Sequence, residues 1–290
     1  MPSTVHTLSL PSGPLDVTVD EQGGGQGRPF LLLHGGAGPQ TVTPFAGLLA
    51  ERRPARVLTP LHPGFAGTTR PDWLGDVPLL ARAYARLLDE LDLTEVTVVG
   101  NSIGGWIAAE LAVLGSERVS GVVLVNAVGI EVPGHPVADA FSLTPAELSR
   151  LAFHDPARHA VDLAALPEAA RTAMAANRAA LEAYSGRHAM ADPTLRERLA
   201  EVAHPALVAW GESDRVVDAA YGRAYAAAIP GAAFELLPRT GHMPQIETPE
   251  QLLTLVWDFA EAHALSGRTA DPAPAATSSY TRNGQAQSLG

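Results

Sequence analysis

Short apolar runs recur along the chain, and stretches with helical spacing separate them. Each run is continuous rather than alternating, which is typical of strands buried on both faces of a sheet. Between two of the runs, Leu79–Leu91 carries apolar residues three and four positions apart, which predicts a helix with one buried face. Strands that alternate with helices predict an α/β fold, with a mostly parallel sheet and helices on both faces. The runs are PFLLL, ARVLTP, EVTVVG, VSGVVLVNAV and PALVAWG.

The two ends of the chain carry other patterns. VHTLSL and LDVTVD alternate polar and apolar residues around PSGP, which predicts an N-terminal hairpin. Near the other end, Thr248 precedes Pro249 and lies three residues before Gln251, in the register of a capped helix start. With the hairpin included, we expect a sheet of about eight strands.

Residues 131–204 interrupt the alternation, because they contain helix signals and no strand pattern. Thr144 and Glu147 have capping-box spacing, and Asp192 before Pro193 is the expected N-cap of another helix. The sequence therefore predicts a small helical insertion after the sixth strand. The expected organisation is a core of residues 1–130 and 205–265, a helical cap of 131–204, and a flexible C-terminal tail of 266–290.

The composition of the 290 residues removes several kinds of chemistry. The chain has no cysteine, which excludes disulfides, a cysteine nucleophile and thiolate-bound zinc. All 20 basic residues are arginine, so a lysine Schiff base, lysine-anchored pyridoxal phosphate and a Walker A lysine are excluded as well.

Charge and hydropathy argue against two classes of partner, nucleic acids and membranes. The formal net charge of −11 argues against nucleic acid, because binding nucleic acid needs clustered positive charge. No apolar run approaches the ~20 residues of a membrane span, and the N-terminus lacks the basic and apolar segments of a signal peptide. The sequence predicts a cytoplasmic monomer or homodimer that acts on a small molecule, without a membrane partner.

A candidate nucleophile lies between an apolar run and an Ala-rich helical stretch. Gly100–Gly104 fits the pattern G-x-S-x-G, and the strand before it and the helix after it are the context in which that pattern exposes a serine. The glycines relieve crowding around a strained turn, and the helix N-terminus favours negative charge near Ser102. The alternative is an ordinary Gly-rich connector in which Ser102 caps the helix.

The stretch HGGAG, after the first long apolar run, could supply backbone donors to a reacting carbonyl. The N–H groups of Gly36 and Ile103 would form an oxyanion hole. The alternative is a phosphate-binding loop, but the glycine spacing is neither that of a dinucleotide-binding loop nor that of a P-loop.

An acid and a base follow in the second half of the chain. Asp214 comes just after a buried run, at the sheet edge where ligand sites of open α/β sheets lie. Glu212 and Asp218 compete with it for the role of the acid, and a solvated loop charge or helix cap is the simpler interpretation of Asp214. His242 lies on a loop before the last helix, where a single histidine is usually inert.

With Ser102, Asp214 and His242 in this order, the chain resembles the α/β-hydrolase superfamily over residues 5 to 265. The resemblance rests on HGGAG, GNSIGG, GESD and GH. It implies an acyl-enzyme on Ser102, a proton transfer to His242 that Asp214 supports, and a cap domain over the site. Dehalogenases and epoxide hydrolases of this fold carry aspartate at the elbow, so serine favours acyl transfer. No cofactor is implied, and no metal-binding motif is present.

HGGAGP and GNSIGG are also similar to the meta-cleavage C–C bond hydrolases, in which the asparagine before the nucleophile helps to bind substrate. Asn101 matches that position, but Met243 stands where that group typically has tryptophan after the histidine. That group also uses a cap arginine, for which the sequence offers Arg158, Arg171, Arg178 and Arg187. We therefore rank a carboxylesterase or lactonase first and a C–C hydrolase second. A cofactor-free perhydrolase or acyltransferase and a ligand-sensing binding protein are the further alternatives.

Substrate contacts are expected from the Gly-rich loop, the elbow, the histidine loop and the cap. His62 belongs to a loop at the same sheet edge, although Pro63, Gly64 and Gly67 could simply shape that loop. The candidates are Asn101, Gly35, Ala37, His62, Met243, Phe141, Phe153 and Tyr184.

Overall fold

A computed structural model describes residues 3–159, 165–185 and 190–264. The predicted C-terminal tail at 266–290 lies outside the described residues. Eight strands form one sheet, which confirms the predicted strand number and the N-terminal hairpin. The strands are β1 Ser3–Leu10, β2 Gly13–Gly23, β3 Arg28–Leu33, β4 Ala55–Pro60, β5 Val96–Asn101, β6 Val119–Val125, β7 Ala206–Gly211 and β8 Ala233–Leu237.

The strand order is β1-β2-β4-β3-β5-β6-β7-β8. The first two pairs in this order, β1 with β2 and β2 with β4, are antiparallel, and all the other neighbours are parallel. The sheet is therefore mostly parallel, as the continuous apolar runs predict. The carboxyl ends of β3, β5, β7 and β8 meet at one edge, and the candidate catalytic residues Ser102, Asp214 and His242 follow β5, β7 and β8.

Helices cover both faces of the sheet. They are α1 Thr43–Arg52, α2 Val77–Glu90, α3 Ile103–Leu114, α4 Pro145–Ala152, α5 Glu168–Ser185, α6 Leu195–Arg198, α7 Ala219–Ala228, α8 Pro244–Glu247 and α9 Pro249–Ala262. The helix predicted from Leu79–Leu91 is α2. Successive residues of a strand point to opposite faces, and β3 follows this rule: Phe30 and Leu32 pack with α1 and α9, whereas Leu31 and Leu33 pack with α2 and α3.

The segment between β6 and β7 carries α4, α5 and α6. Thr144 and Glu147 form the predicted capping box at the start of α4. The existence of a separate cap domain stays a prediction. Among the described helices, none combines the length and apolar character needed to cross a bilayer.

Two predicted helix caps are wrong in detail. Thr194, not Asp192, is the N-cap of α6, and its side chain makes no capping bond; Asp192 begins the turn just before the helix, where its Oδ1 accepts from the Thr194 N–H and its Oδ2 from the Arg198 guanidinium. Thr248 does precede α9, but its hydroxyl bonds the hydroxyl of Thr240 and caps no backbone N–H. At Thr248 a hydroxyl from the preceding loop takes the group that the local pattern assigns to capping.

Candidate active site

Ser102 lies on the turn between β5 and α3, in a strained backbone conformation with φ 57° and ψ −119°. A side chain two residues away on either side would collide with main chain: a Cβ on Gly100 would overlap the Gly104 carbonyl, and one on Gly104 would overlap the Leu33 carbonyl. The crowding explains the glycines. Ser102 is partly exposed while its neighbours Asn101 and Ile103 are buried, so the turn presents the serine hydroxyl.

Asp214 and His242 meet at the carboxyl end of β7. The Asp214 carboxylate is fully buried, and its Oδ2 lies 2.7 Å from His242 Nδ1. Its Oδ1 accepts from the N–H groups of Val216 at 2.8 Å and Val217 at 3.1 Å. An ionised carboxylate only accepts, so Nδ1 of His242 carries the proton and Nε2 is left as the basic nitrogen.

The two competing carboxylates are used elsewhere. Asp218 caps α7 through the Tyr221 N–H at 3.0 Å and bonds His135 at 2.7 Å. Glu212 accepts from the Arg239 N–H at 3.2 Å. Of the three acids weighed from the sequence, Asp214 alone contacts His242.

The loop that carries His242 is anchored on three sides. The His242 N–H donates to the Ala152 carbonyl at 2.6 Å, at the end of α4. The His242 carbonyl accepts from the Asn101 side-chain amide at 2.9 Å, which ties this loop to the residue before Ser102. The preceding N–H, of Gly241, donates to the Glu247 carboxylate at 2.6 Å. These bonds fix the imidazole beside the elbow.

The Gly-rich loop after β3 passes against the elbow. A Cβ placed on Gly35 would lie 3.3 Å from Ser102 Cβ, so the two main chains are in close contact. Within the described part of the chain, the N–H groups of Gly36 and Ile103 donate to no protein acceptor. Such donors remain available to an oxyanion. Leu181 of α5 packs on Gly36, where a Cβ would meet its Cδ2 at 2.6 Å.

A buried histidine pair lies beneath this loop. The rings of His34 and His62 stack with centroids 3.7 Å apart, and both side chains are almost inaccessible to solvent. Burial lowers the pKa of His34 to about 4, and burial, followed by the neighbouring His34, lowers that of His62 well below its ordinary value. Desolvation likewise raises the pKa of Tyr84, which bonds His62. All three groups are therefore neutral at neutral pH.

Comparison with known proteins agrees with this architecture. Residues 30–255 match the sequence model of the family described as "Alpha/beta hydrolase family". The chain belongs to the alpha/beta hydrolase family.

The relatives of this chain catalyse different reactions. The chain is 30% identical to a 2-hydroxymuconate semialdehyde hydrolase of Pseudomonas putida, over 83% of this chain and 90% of that protein. It is 29% identical to the dihydrolipoyllysine-residue acetyltransferase component of an acetoin cleaving system, also of Pseudomonas putida, over 84% of this chain. The chain spans only 66% of the length of that component. An esterase from Exiguobacterium antarcticum has a similar structure, with TM-score 0.68, 20% identity, and coverage of 88% and 98% of the two chains.

Two of the predicted substrate contacts of the hydrolase are occupied by internal hydrogen bonds. Both ring nitrogens of His62 bond within the protein, one to Tyr84 and one to the His34 carbonyl. Asn101 is buried, donates to two main-chain carbonyls and accepts from the Gln245 amide at 3.1 Å. These bonds point to a positioning role for both residues.

The other predicted contacts are spread around the site. Tyr184 is buried on α5 and donates to the Pro63 carbonyl at 2.9 Å. Phe153 is partly buried and stacks on His159 with centroids 4.7 Å apart. Phe141 lies under the Arg178 guanidinium. Ala37 is exposed, and Met243 is partly exposed beside His242.

Sequence reasoning missed the asparagine that shares the Asp214 carboxylate. Asn126 follows β6, has a φ of 46°, and donates to Asp214 Oδ2 at 2.6 Å. Its carbonyl oxygen Oδ1 accepts from the Gly211 N–H at 3.3 Å. The signal was present, since Asn126 is a polar residue at the carboxyl end of a buried strand. Across the described ranges, no group of three or more histidines and acids is arranged to hold a metal ion.

Proposed function

We propose that this hydrolase cleaves a small carboxylic ester or lactone through an acyl-enzyme on Ser102. The observation that carries the proposal is the buried 2.7 Å bond between His242 Nδ1 and Asp214 Oδ2. It leaves His242 Nε2 as a base on a loop that Asn101 ties to the elbow. A strained, partly exposed serine and two unused backbone donors complete the arrangement needed for acyl transfer.

In the first half of the reaction, Ser102 Oγ bonds to the carbonyl carbon while its proton passes to His242 Nε2. The electron pair of the C=O bond moves to oxygen, and the Gly36 and Ile103 N–H groups stabilise the resulting oxyanion. Asp214 holds the imidazole in the required tautomer and stabilises its charged form. The tetrahedral species collapses, and the departing alcohol oxygen takes the proton from His242.

In the second half, His242 Nε2 removes a proton from water as its oxygen attacks the acyl carbon. A second oxyanion forms in the same place and collapses. Ser102 Oγ leaves with the proton from His242, and the acid is released. No redox partner is needed for this balance.

The packing of α5 favours a small acyl group. Leu181 contacts Gly36, and Asn177 donates to the Ala37 carbonyl at 2.8 Å and accepts from the Ala66 N–H at 2.7 Å. The helix is therefore bonded to the Gly-rich loop and to the loop after β4. These contacts hold Leu181 against Gly36, next to the proposed oxyanion hole, where its side chain limits the space for a long acyl chain.

The test is release of p-nitrophenol from its acetate, butyrate and octanoate esters by the wild type and by Ser102→Ala. We expect turnover of the short esters by the wild type and its loss, by at least ~10³-fold, in the variant. Ser120→Ala, which alters a buried serine near the start of β6, at the opposite end of the strand from the site, is the matched control and should retain turnover. Absence of release by the wild type contradicts the proposal.

The second candidate is hydrolysis of a C–C bond, and similarity to the 2-hydroxymuconate semialdehyde hydrolase over 90% of its length favours it. Two of the cap arginines are directed elsewhere: Arg171 donates to the Leu166 carbonyl, and Arg178 to the carbonyls of Ala140 and Phe141. We therefore rank it second. A vinylogous 1,5-diketone acid assayed beside the esters decides, because turnover well above that of the esters would reverse the order.

Similarity to an acetyltransferase component supports a third candidate reaction, in which the acyl group passes from Ser102 to an alcohol or thiol instead of to water. If an added alcohol or thiol accepts the acyl group in preference to water, product analysis will show the new ester or thioester. Covalent labelling by a fluorophosphonate without turnover would favour a ligand-sensing protein with a reactive serine.

A further inference from the structure

We propose that His62, acting through His34, fixes the orientation of the peptide group that presents the Gly36 N–H to the oxyanion. The inference rests on the proposed function and adds positioning residues to it. Its starting point is that the Gly35 carbonyl and the Gly36 N–H belong to one planar peptide group. A bond that holds the carbonyl therefore also sets the direction of the N–H.

This peptide is flanked by glycine on both sides, so side-chain sterics do little to resist its rotation. Two hydrogen bonds hold its carbonyl. The Gly35 oxygen accepts from His34 Nδ1 at 2.8 Å and from the Gly38 N–H at 3.0 Å. The His34 bond comes from a fully buried ring, which cannot exchange it for water.

The direction of every bond in the histidine pair can be assigned from its partners. The His62 backbone N–H donates to His34 Nε2 at 3.2 Å, so that nitrogen is unprotonated and Nδ1 carries the hydrogen that faces Gly35. His62 Nε2 lies 3.0 Å from the His34 carbonyl, which can only accept, so Nε2 carries the hydrogen of the second ring. His62 Nδ1 then accepts from the Tyr84 hydroxyl at 2.5 Å.

The result is two short hydrogen-bond series that cross between the two residues. Tyr84 donates to the His62 ring, which donates to the His34 main-chain carbonyl, and the His62 main-chain N–H donates to the His34 ring, which donates to the Gly35 carbonyl. Each ring is locked in one tautomer by its two partners, and stacking at 3.7 Å fixes the planes of both rings, so the His62 side chain acts on His34 through the stacked ring and the His34 carbonyl. Their lowered pKa values keep them neutral, as the assigned bonds require. Hydrogen bonds in series polarise one another, so a donor on the Gly35 oxygen also makes the Gly36 N–H a better donor.

The alternative is that the pair only fills the core beneath the loop. The two roles differ in kinetics. A misdirected Gly36 N–H weakens binding of the tetrahedral states alone, which lowers kcat and leaves KM unchanged. Loss of packing instead lowers the melting temperature and the amount of active protein, with no selective effect on the transition state.

The experiment compares His62→Leu, His62→Gln and Tyr84→Phe with Tyr221→Phe in ester hydrolysis. Tyr221→Phe is the matched control, because it also removes a buried tyrosine hydroxyl, one that bonds the main chain of Ile130. Removing one oxyanion donor costs ~10²–10³ in rate, so we expect partial misorientation in His62→Leu to lower kcat about tenfold with KM within twofold. His62→Gln retains an N–H for the His34 carbonyl and should recover most of the rate. Tyr84→Phe should lie between them, and the control should lose stability but keep kcat within twofold.

A readout that needs no substrate makes the test independent of the proposed function. In crystal structures of His62→Leu and Tyr84→Phe, we expect the Gly35–Gly36 peptide to be rotated or present in two orientations. A single wild-type orientation in both variants overturns the inference. So does a folded His62→Leu protein that, like the control, loses stability but keeps kcat within twofold. Lack of ester turnover by the wild type contradicts only the proposed function.

Discussion

Acid should destabilise this protein through its buried histidines, and His34 contributes a part that can be measured. His34 is fully buried, and its pKa falls from an ordinary 6.5 to about 4. Between these two values the unfolded chain binds a proton that the folded protein does not. The free energy of unfolding therefore decreases as the pH falls from 7 to 5. For this one group the loss is about 2 kcal/mol, and His62 changes stability in the same direction.

The perturbation is His34→Asn, which removes the titrating ring but keeps an N–H near the Gly35 carbonyl. Urea unfolding followed by tryptophan fluorescence gives the free energy of unfolding at pH 7 and pH 5. The variant should be less stable than the wild type at pH 7, yet lose about 2 kcal/mol less on going to pH 5. His6→Asn, which removes a partly exposed imidazole from β1, is the matched control and should follow the wild type. Equal losses in all three proteins would refute the reasoning, because the buried ring would then take up its proton as easily as an unfolded one.

Two further changes test the site. Asp214→Asn replaces an oxygen that accepts two of the four hydrogen bonds to this carboxylate with an NH2 group that faces the same donors, so we expect ~10³–10⁴-fold lower kcat with a smaller change in KM, measured with p-nitrophenyl acetate. Unchanged kcat would remove Asp214 from the mechanism. Leu181→Ala opens space beside Gly36, so kcat/KM for the octanoate ester relative to the acetate should rise about tenfold. An unchanged ratio would show that Leu181 does not limit the acyl chain.

The fold was predictable because its signal is local and repeated. Continuous apolar runs such as PFLLL become β3 and its neighbours, since a strand covered on both faces needs apolar residues at every position. The elbow was predictable for a related reason. Only glycine fits at positions 100 and 104, because a side chain there would overlap the main chain, so the two glycines mark the tight turn in the sequence.

What could not be predicted depends on contacts between distant segments. Asn126 and Asp214 are 88 residues apart, and nothing local marks them as partners. His62 is a plausible pocket residue in sequence, and only the folded chain shows its ring directed to Tyr84 and His34.

The central claim is that Ser102 is the nucleophile and His242 the base that activates it. The most direct test is peptide mass spectrometry of the protein after reaction with a fluorophosphonate, carried out on the wild type and on His242→Ala. The account predicts one adduct per chain, located on Ser102, that forms at least ~10²-fold more slowly in the variant. An adduct on another residue, or equal labelling rates in the two proteins, would contradict it.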